Sequence, residues 1–183
     1  MVILASASPR RRELMKLITR NFVIITSDIN EESSYILLPL EAVKEIAKRK
    51  GLKVKESHPH DLILSADTIV LLGNKIIGKP IDKEDAKRIL KELSGKTHKV
   101  ITAYCLTKDD KTIENHVISE VTFYELSDEL IERYIESESP LDKAGAYGVQ
   151  DNKEFPIVKE VIGSVDNVIG FPVKEIKEDF EKF

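Results

Sequence analysis

Arginine, aspartate and lysine stand at a few positions where a polyanion could be bound and a proton accepted. The densest group is Arg10-Arg11-Arg12, directly after Ser8-Pro9. Ser8 fits an N-cap and Pro9 a first helical residue, whose missing N–H is tolerated there. The arginines therefore fall in the first turn of a helix, at its positive end, which disfavours each by roughly 0.3–1 kcal/mol. A bound anion reverses that balance. The unpaired N–H groups of a helix start suit a phosphate, and guanidinium forks strengthen the site for a multiply charged one. Leu14, Met15, Leu17 and Ile18 form the apolar stripe of this helix. At about 100° per residue, Arg10 and Arg11 lie near that stripe and Arg12 points away. Arg10 and Arg11 are thus the expected ligand contacts, with Arg12 left to solvent. A basic patch on an N-terminal helix is the plainer alternative.

Asp67 is the second such residue. It interrupts Leu62-Ile63-Leu64-Ser65-Ala66-Asp67-Thr68-Ile69-Val70-Leu71-Leu72, otherwise the run of a buried strand. A carboxylate there is costly to desolvate unless paired, hydrogen-bonded or metal-bound, and such placements are where acids, bases and metal ligands occur. Alternatively Asp67 sits in a bend and bonds the backbone near Thr68. Lys50 continues the stripe of Val43 and Ile46, either as a snorkelling side chain at a helix C-terminus or as a cation aimed at a ligand. Lys79, in Gly78-Lys79-Pro80, reads alone as a solvated turn. Together, Arg10, Arg11, Lys50 and Lys79 beside an unpaired aspartate suit a triphosphate and a divalent ion.

These residues need a scaffold, and 183 residues supply one domain, with or without two lobes. Hydrophobic residues at 42% and charged residues at 33% are those of a globular chain. A net charge of −4 argues against a broad nucleic-acid surface and makes the arginine cluster a local site. A single cysteine, Cys105, excludes an intrachain disulfide and a multi-cysteine zinc site, and its apolar surroundings predict a buried strand. No stretch reaches the roughly 20 apolar residues of a membrane span and no signal peptide precedes the first strand, so the expected location is cytoplasmic.

Strand and helix signals alternate without a linker. Strands are expected at 2–5, 22–26, 62–72, 75–77, 99–107, 113–126 and 157–162. Gly73-Asn74 is a hairpin turn. One helix runs from about Leu40 to Lys50, with Gly51 as its stop. Asp82 and Ser127 cap two more, ending at Ser94-Gly95 and near Ser137, and Phe171-Pro172 leads into a last short one. A glycine-rich loop spans 140–150. Hairpins mixed with crossovers predict an α/β fold with a mixed sheet.

Taken with these elements, the motifs resemble those of the Maf proteins, nucleoside triphosphate pyrophosphatases first linked to septum formation. The similar stretches are Ser6-Ala7-Ser8-Pro9-Arg10-Arg11, Ala47-Lys48-Arg49-Lys50, Ala66-Asp67-Thr68-Ile69-Val70, Gly78-Lys79-Pro80 and Leu93-Ser94-Gly95-Lys96-Thr97-His98. The most diagnostic is Asp142-Lys143-Ala144-Gly145-Ala146-Tyr147-Gly148-Val149-Gln150. The resemblance covers essentially the whole chain as one domain, 1–183. It implies a two-lobed α/β fold similar to inosine triphosphatases, a central mixed sheet flanked by helices and an active-site cleft between the lobes.

The resemblance further implies hydrolysis of a nucleoside triphosphate between its α- and β-phosphates, with Mg²⁺ or Mn²⁺ as cofactor. Asp67 takes the general-base position and, with Glu31, the metal position. Ser6, Arg11, Lys50 and Lys79 take phosphate-binding positions, and Arg10, Thr68 and Gln150 those tied to substrate choice. Thr68 with Gln150 resembles the branch acting on dTTP and UTP, where a glutamine amide suits the O4 and N3–H edge of the base. Modified pyrimidine nucleotides, nucleotide-pool cleansing and cell-division arrest belong to the same expectation. Family members often dimerise, so a homodimer is a candidate assembly, whereas nucleic acid and membrane are not expected partners. One stretch departs from the pattern: that branch continues Gln-Gly-x-Gly, but Asp151-Asn152-Lys153 follows Gln150 here. Losing glycine removes backbone freedom, which bears on base preference. The alternative from another class is a regulator of septum formation that binds nucleotide or DNA without turnover.

Overall fold

A computed structural model describes residues 1–31, 34, 37–137 and 140–183. The chain divides into two compact units, Met1–Thr68 with Ile101–Val117 and Asp166–Phe183, and Ile69–Val100 with Ile118–Val165. The chain shows the expected α/β class, with a sheet that mixes parallel and antiparallel pairs.

In the first unit β1 (Val2–Leu4) lies between β2 (Val23–Ile24) and the start of β3 (Leu62–Leu72), parallel to both. Parallel neighbours need crossovers. Helix α1 (Pro9–Met15) links β1 to β2, and α2 (Pro39–Lys55) links β2 to β3. Beyond β3 come β5 (Thr97–Lys108) and β6 (Lys111–Phe123), joined by a two-residue turn in which Asp109 has φ 47°. Alternation along the strands builds two cores. Leu62, Leu64 and Ala66 pack with Met15, Tyr104, Phe171 and Ile176 on one face, and Ile63 packs with Ile3, Ala5 and Val54 on the other. Ile176 comes from α6 (Val173–Phe180), the expected last helix. The short α5 (Val165–Ile169) before it was not foreseen.

Several elements differ from expectation. Helix α2 does not stop at Gly51 but continues to Lys55. Gly51 is there for space: a Cβ would stand 2.7 Å from Ser65 Oγ, whose hydroxyl donates to the Ala47 carbonyl at 2.6 Å. Helix α1 ends at Met15, and Leu17 is 61% exposed, so the apolar stripe reduces to Leu14, Met15 and Ile18. Strand β2 shrinks to two exposed residues because it pairs with β1 alone.

In the second unit the end of β3 forms a hairpin with β4 (Lys75–Ile77) through Gly73, at φ 59°. Helix α3 (Lys83–Leu93) starts at Asp82, whose carboxylate accepts the Asp85 N–H at 2.7 Å. Helix α4 (Asp128–Ser137) starts at Ser127, which accepts from Leu130 N. Strand β7 (Val158–Ile162) runs antiparallel to β6. The glycine-rich stretch is no open loop but three 3₁₀ segments, Pro140–Asp142, Ala144–Ala146 and Val149–Lys153. Among the described residues no helix is long and apolar enough to cross a membrane. Cys105 is buried as expected, and burial pushes its thiol up to about 12.

Candidate active site

Strand β3 runs unbroken through Asp67, so the bend alternative does not hold. Ser65 and Ala66 are buried, while Asp67 and Thr68 reach partial exposure where the strand leaves the first core. The partner that a half-buried carboxylate requires is Lys50. Its ammonium, near the end of α2, donates to Asp67 Oδ1 at 2.8 Å and lies 2.7 Å from Glu31 Oε1. Side-chain exposures of 16% for Lys50, 13% for Asp67 and 37% for Glu31 place the first two out of bulk water. Screening there is weaker than on the surface. Asp67 is therefore a paired carboxylate, not the unpaired one expected, and Lys50 is aimed inward instead of snorkelling out.

Helix α1 delivers Arg11 beside this cluster. Ser8 Oγ accepts the Arg11 N–H and fixes the helix start. The guanidinium then donates from Nε to the Gly170 carbonyl at 2.9 Å, from Nη1 to the Ala66 carbonyl at 2.8 Å and Ser6 Oγ at 3.3 Å, and from Nη2 to Thr68 Oγ1 at 3.0 Å. Four of its five N–H donors are thus committed within the protein. Burial lowers its pKa, as does Arg10, while Asp67 and Glu31 pull the other way. Arg10 is partly buried and Arg12 exposed, the separation the helical wheel predicts.

Residues that the sequence did not single out complete this framework. Thr68 Oγ1 shares a hydrogen bond with Thr102 Oγ1 at 2.9 Å, and Thr102 donates to the Asn167 carbonyl at 3.0 Å. Gly170, at φ 111°, must be glycine: a Cβ would come within 3.1 Å of Thr68 Oγ1. A lone threonine in the apolar run 100–106 was the available signal for Thr102. Nothing local marks Gly170, which is 159 residues from Arg11.

The first unit thus brings together Ser6, Arg11 and Thr68 by hydrogen bonds and Glu31, Lys50 and Asp67 by ion pairs, with Arg10 electrostatically coupled to Arg11. Lys79 and Gln150 belong to the second unit, and both are exposed. Their segments are tied there by the Gly145 N–H on the Gly78 carbonyl at 3.1 Å. In the same unit, His98 Nε2 meets Tyr147 Oη at 2.8 Å, and the His98, Phe123 and Tyr147 rings pack edge to face. Burial lowers His98 to about 4.

The donor set suits a hard divalent cation. Two carboxylates converge on one point that already holds a positive charge, and Mg²⁺ is typically held by one or two carboxylates with substrate phosphates and water. Among the described residues no group of three or more His, Cys, Asp or Glu gathers that would form an all-protein cage.

The solved Staphylococcus aureus Ham1 protein has a similar fold, with a TM-score of 0.54 over 99% of this chain and 98% of that one at 13% identity. A Pyrococcus furiosus protein named dTTP/UTP pyrophosphatase is 47% identical over 174 residues, 94% of this chain and 90% of that protein. A Bacillus anthracis protein of the same name is 40% identical over 182 residues, 100% of this chain and 95% of that protein. The Maf-like protein family matches residues 1–183, so the chain belongs to that family.

Proposed function

We propose that this chain hydrolyses dTTP and UTP between the α- and β-phosphates, releasing the monophosphate and pyrophosphate. The observation that carries this is the Glu31–Lys50–Asp67 cluster beside Arg10 and Arg11: a preformed base among cations, on the family's motif positions. Lys50 holds Asp67 Oδ1 in one orientation, and the carboxylate accepts the proton of the attacking water. Ser6, Arg10, Arg11, Lys50 and Lys79 take up the charge of the triphosphate. Arg11, with four donors already engaged, mainly holds Ser6 and Thr68 in register. Thr68, Arg10 and Gln150 select the base. Glu31 and Asp67 would hold Mg²⁺ or Mn²⁺, which when bound neutralises phosphate charge and lowers the pKa of water. The substrate is free nucleotide in the cytoplasm.

The test is a panel of ribo- and deoxyribonucleoside triphosphates assayed with Mg²⁺. Preferred turnover of dTTP and UTP is the expected result. A regulator without turnover would bind nucleotide and release no pyrophosphate.

A further inference from the structure

Gln150 sits alone and exposed in a turn whose neighbours on both sides are fastened. On one side, the Gly148 N–H donates to Tyr134 Oη at 2.9 Å. On the other, the same hydroxyl donates to Asp151 Oδ2 at 2.8 Å. Tyr134 lies on α4, fully buried, with its ring packed edge to face on Phe155 at 5.3 Å. One rigid phenol therefore spans the residue that bears the amide.

The backbone closes on the same point. The Asp151 N–H donates to the Gly148 carbonyl at 3.1 Å, and the Asp151 carbonyl accepts from Glu154 and Phe155. Next in sequence, Asn152 Oδ1 accepts from Ile157 N and Val158 N, and its Nδ2 donates to the Val158 carbonyl, which fastens the turn to β7. Space over Gly148 is used up as well. A Cβ there would meet Gln150 Nε2 at 2.6 Å and Asp151 Oδ2 at 2.7 Å, so the amide and the carboxylate converge on the glycine. A glycine at position 151 would supply no side chain to Tyr134 and would leave the buried hydroxyl without this acceptor.

We propose that Tyr134 and Asp151 are positioning residues for base selection: their hydrogen bond holds the Gly148–Asp151 turn in one conformation and thereby sets how strictly Gln150 discriminates between bases. This rests on Gln150 reading the base. Neither residue touches substrate; each acts through the turn, by limiting the conformations from which the amide must be recruited.

The experiment measures kcat and KM for UTP and CTP, with thermal midpoints, in the parent and in Tyr134→Phe, Asp151→Ala, Asp151→Asn and Gln150→Ala. Loss of the part-buried Tyr134–Asp151 bond should lower the UTP:CTP ratio of kcat/KM by about tenfold in Asp151→Ala, carried mainly by KM. The ratio should fall by at least as much in Tyr134→Phe, which also loses the bond from the Gly148 N–H. The double variant should be no worse than Tyr134→Phe, which already removes both bonds. Asp151→Asn, which keeps an acceptor oxygen for Tyr134, should restore the ratio. A merely structural bond would lower the midpoint and leave the ratio alone, which overturns the proposal. If Gln150→Ala shifts the ratio while Tyr134→Phe and Asp151→Ala do not, base reading stands and the clamp is refuted. If Gln150→Ala leaves the ratio at its parental value, the base-reading assignment itself falls, and the clamp with it.

Discussion

Asp67 and Gln150 are carried by opposite kinds of support. Asp67 stands on a long strand, with Lys50 on its carboxylate and a buried core on either side of the sheet. Gln150 stands exposed on a five-residue 3₁₀ segment, and what fixes it are hydrogen bonds made by its neighbours. The two arrangements suit different work. A proton acceptor and the groups that meet phosphate charge gain from being fixed before substrate arrives, since no reorganisation is then needed at the moment of reaction. Base selection depends on a difference of a few kcal/mol between similar ligands, which a small shift of one amide can set. Substitutions at Arg11, Glu31, Lys50 or Asp67 should therefore change the rate for every nucleotide, and those around Gln150 the ratio between nucleotides.

The sharpest break in that comparison lies inside the arginine cluster. Arg11→Ala should weaken triphosphate turnover for all bases by roughly 1.5–3 kcal/mol, because charge-assisted contacts are lost, and should also lower the thermal midpoint. The stability loss follows from stranding the Gly170 and Ala66 carbonyls that Arg11 now satisfies. Arg10→Ala should reduce turnover with a smaller change in midpoint, and Arg12→Ala should be nearly silent in both. Equal losses at all three positions would refute the helical geometry.

The second unit has its own stability signature. Neutral, buried His98 has its pKa lowered by burial from an ordinary 6.5 to about 4. Because the unfolded chain takes up the proton more readily, its contribution is complete above pH 6.5 and is lost as pH falls toward 4. Between pH 7 and pH 5 the parent should lose about 2 kcal/mol more than His98→Gln in urea unfolding. Parallel pH profiles for the two proteins would contradict this.

The smallest expected effect is at Gln150. Gln150→Glu can still accept from a base N3–H but can no longer donate to O4, so preference for UTP over CTP should fall by about tenfold at little cost in kcat for the poorer substrate. The measurement is kcat/KM for dTTP, UTP and CTP at one metal concentration. Unchanged ratios would remove Gln150 from base selection.

Much of the scaffold could be read locally. The limits of β3, the Gly73 turn and the Asp82 and Ser127 caps depend on a few adjacent residues, and each lies where the pattern puts it. Gly51 misled because a glycine required by tertiary contact looks the same as one that ends a helix; only Ser65, fourteen positions on, explains it. For the same reason Asp67 could be recognised as costly without its partner being visible. Glu31 lies in an ordinary polar loop and was reached only through family resemblance, while Gly170 and Thr102 act on Thr68 across long stretches of sequence. Asp151 was visible as a departure from pattern, but its bond to Tyr134 was not.

The central claim is that Asp67 is the base for cleavage between the α- and β-phosphates. It is tested most directly by following UTP with Mg²⁺ in the parent and in Asp67→Asn, quantifying UMP, UDP, pyrophosphate and phosphate, with thermal midpoints as the control for folding. The parent should form UMP and pyrophosphate in equal amounts, and the folded variant should be slower by about 10²–10⁴-fold, the usual contribution of a general base. UDP and phosphate as products, or parental rates in a folded Asp67→Asn protein, would contradict the account.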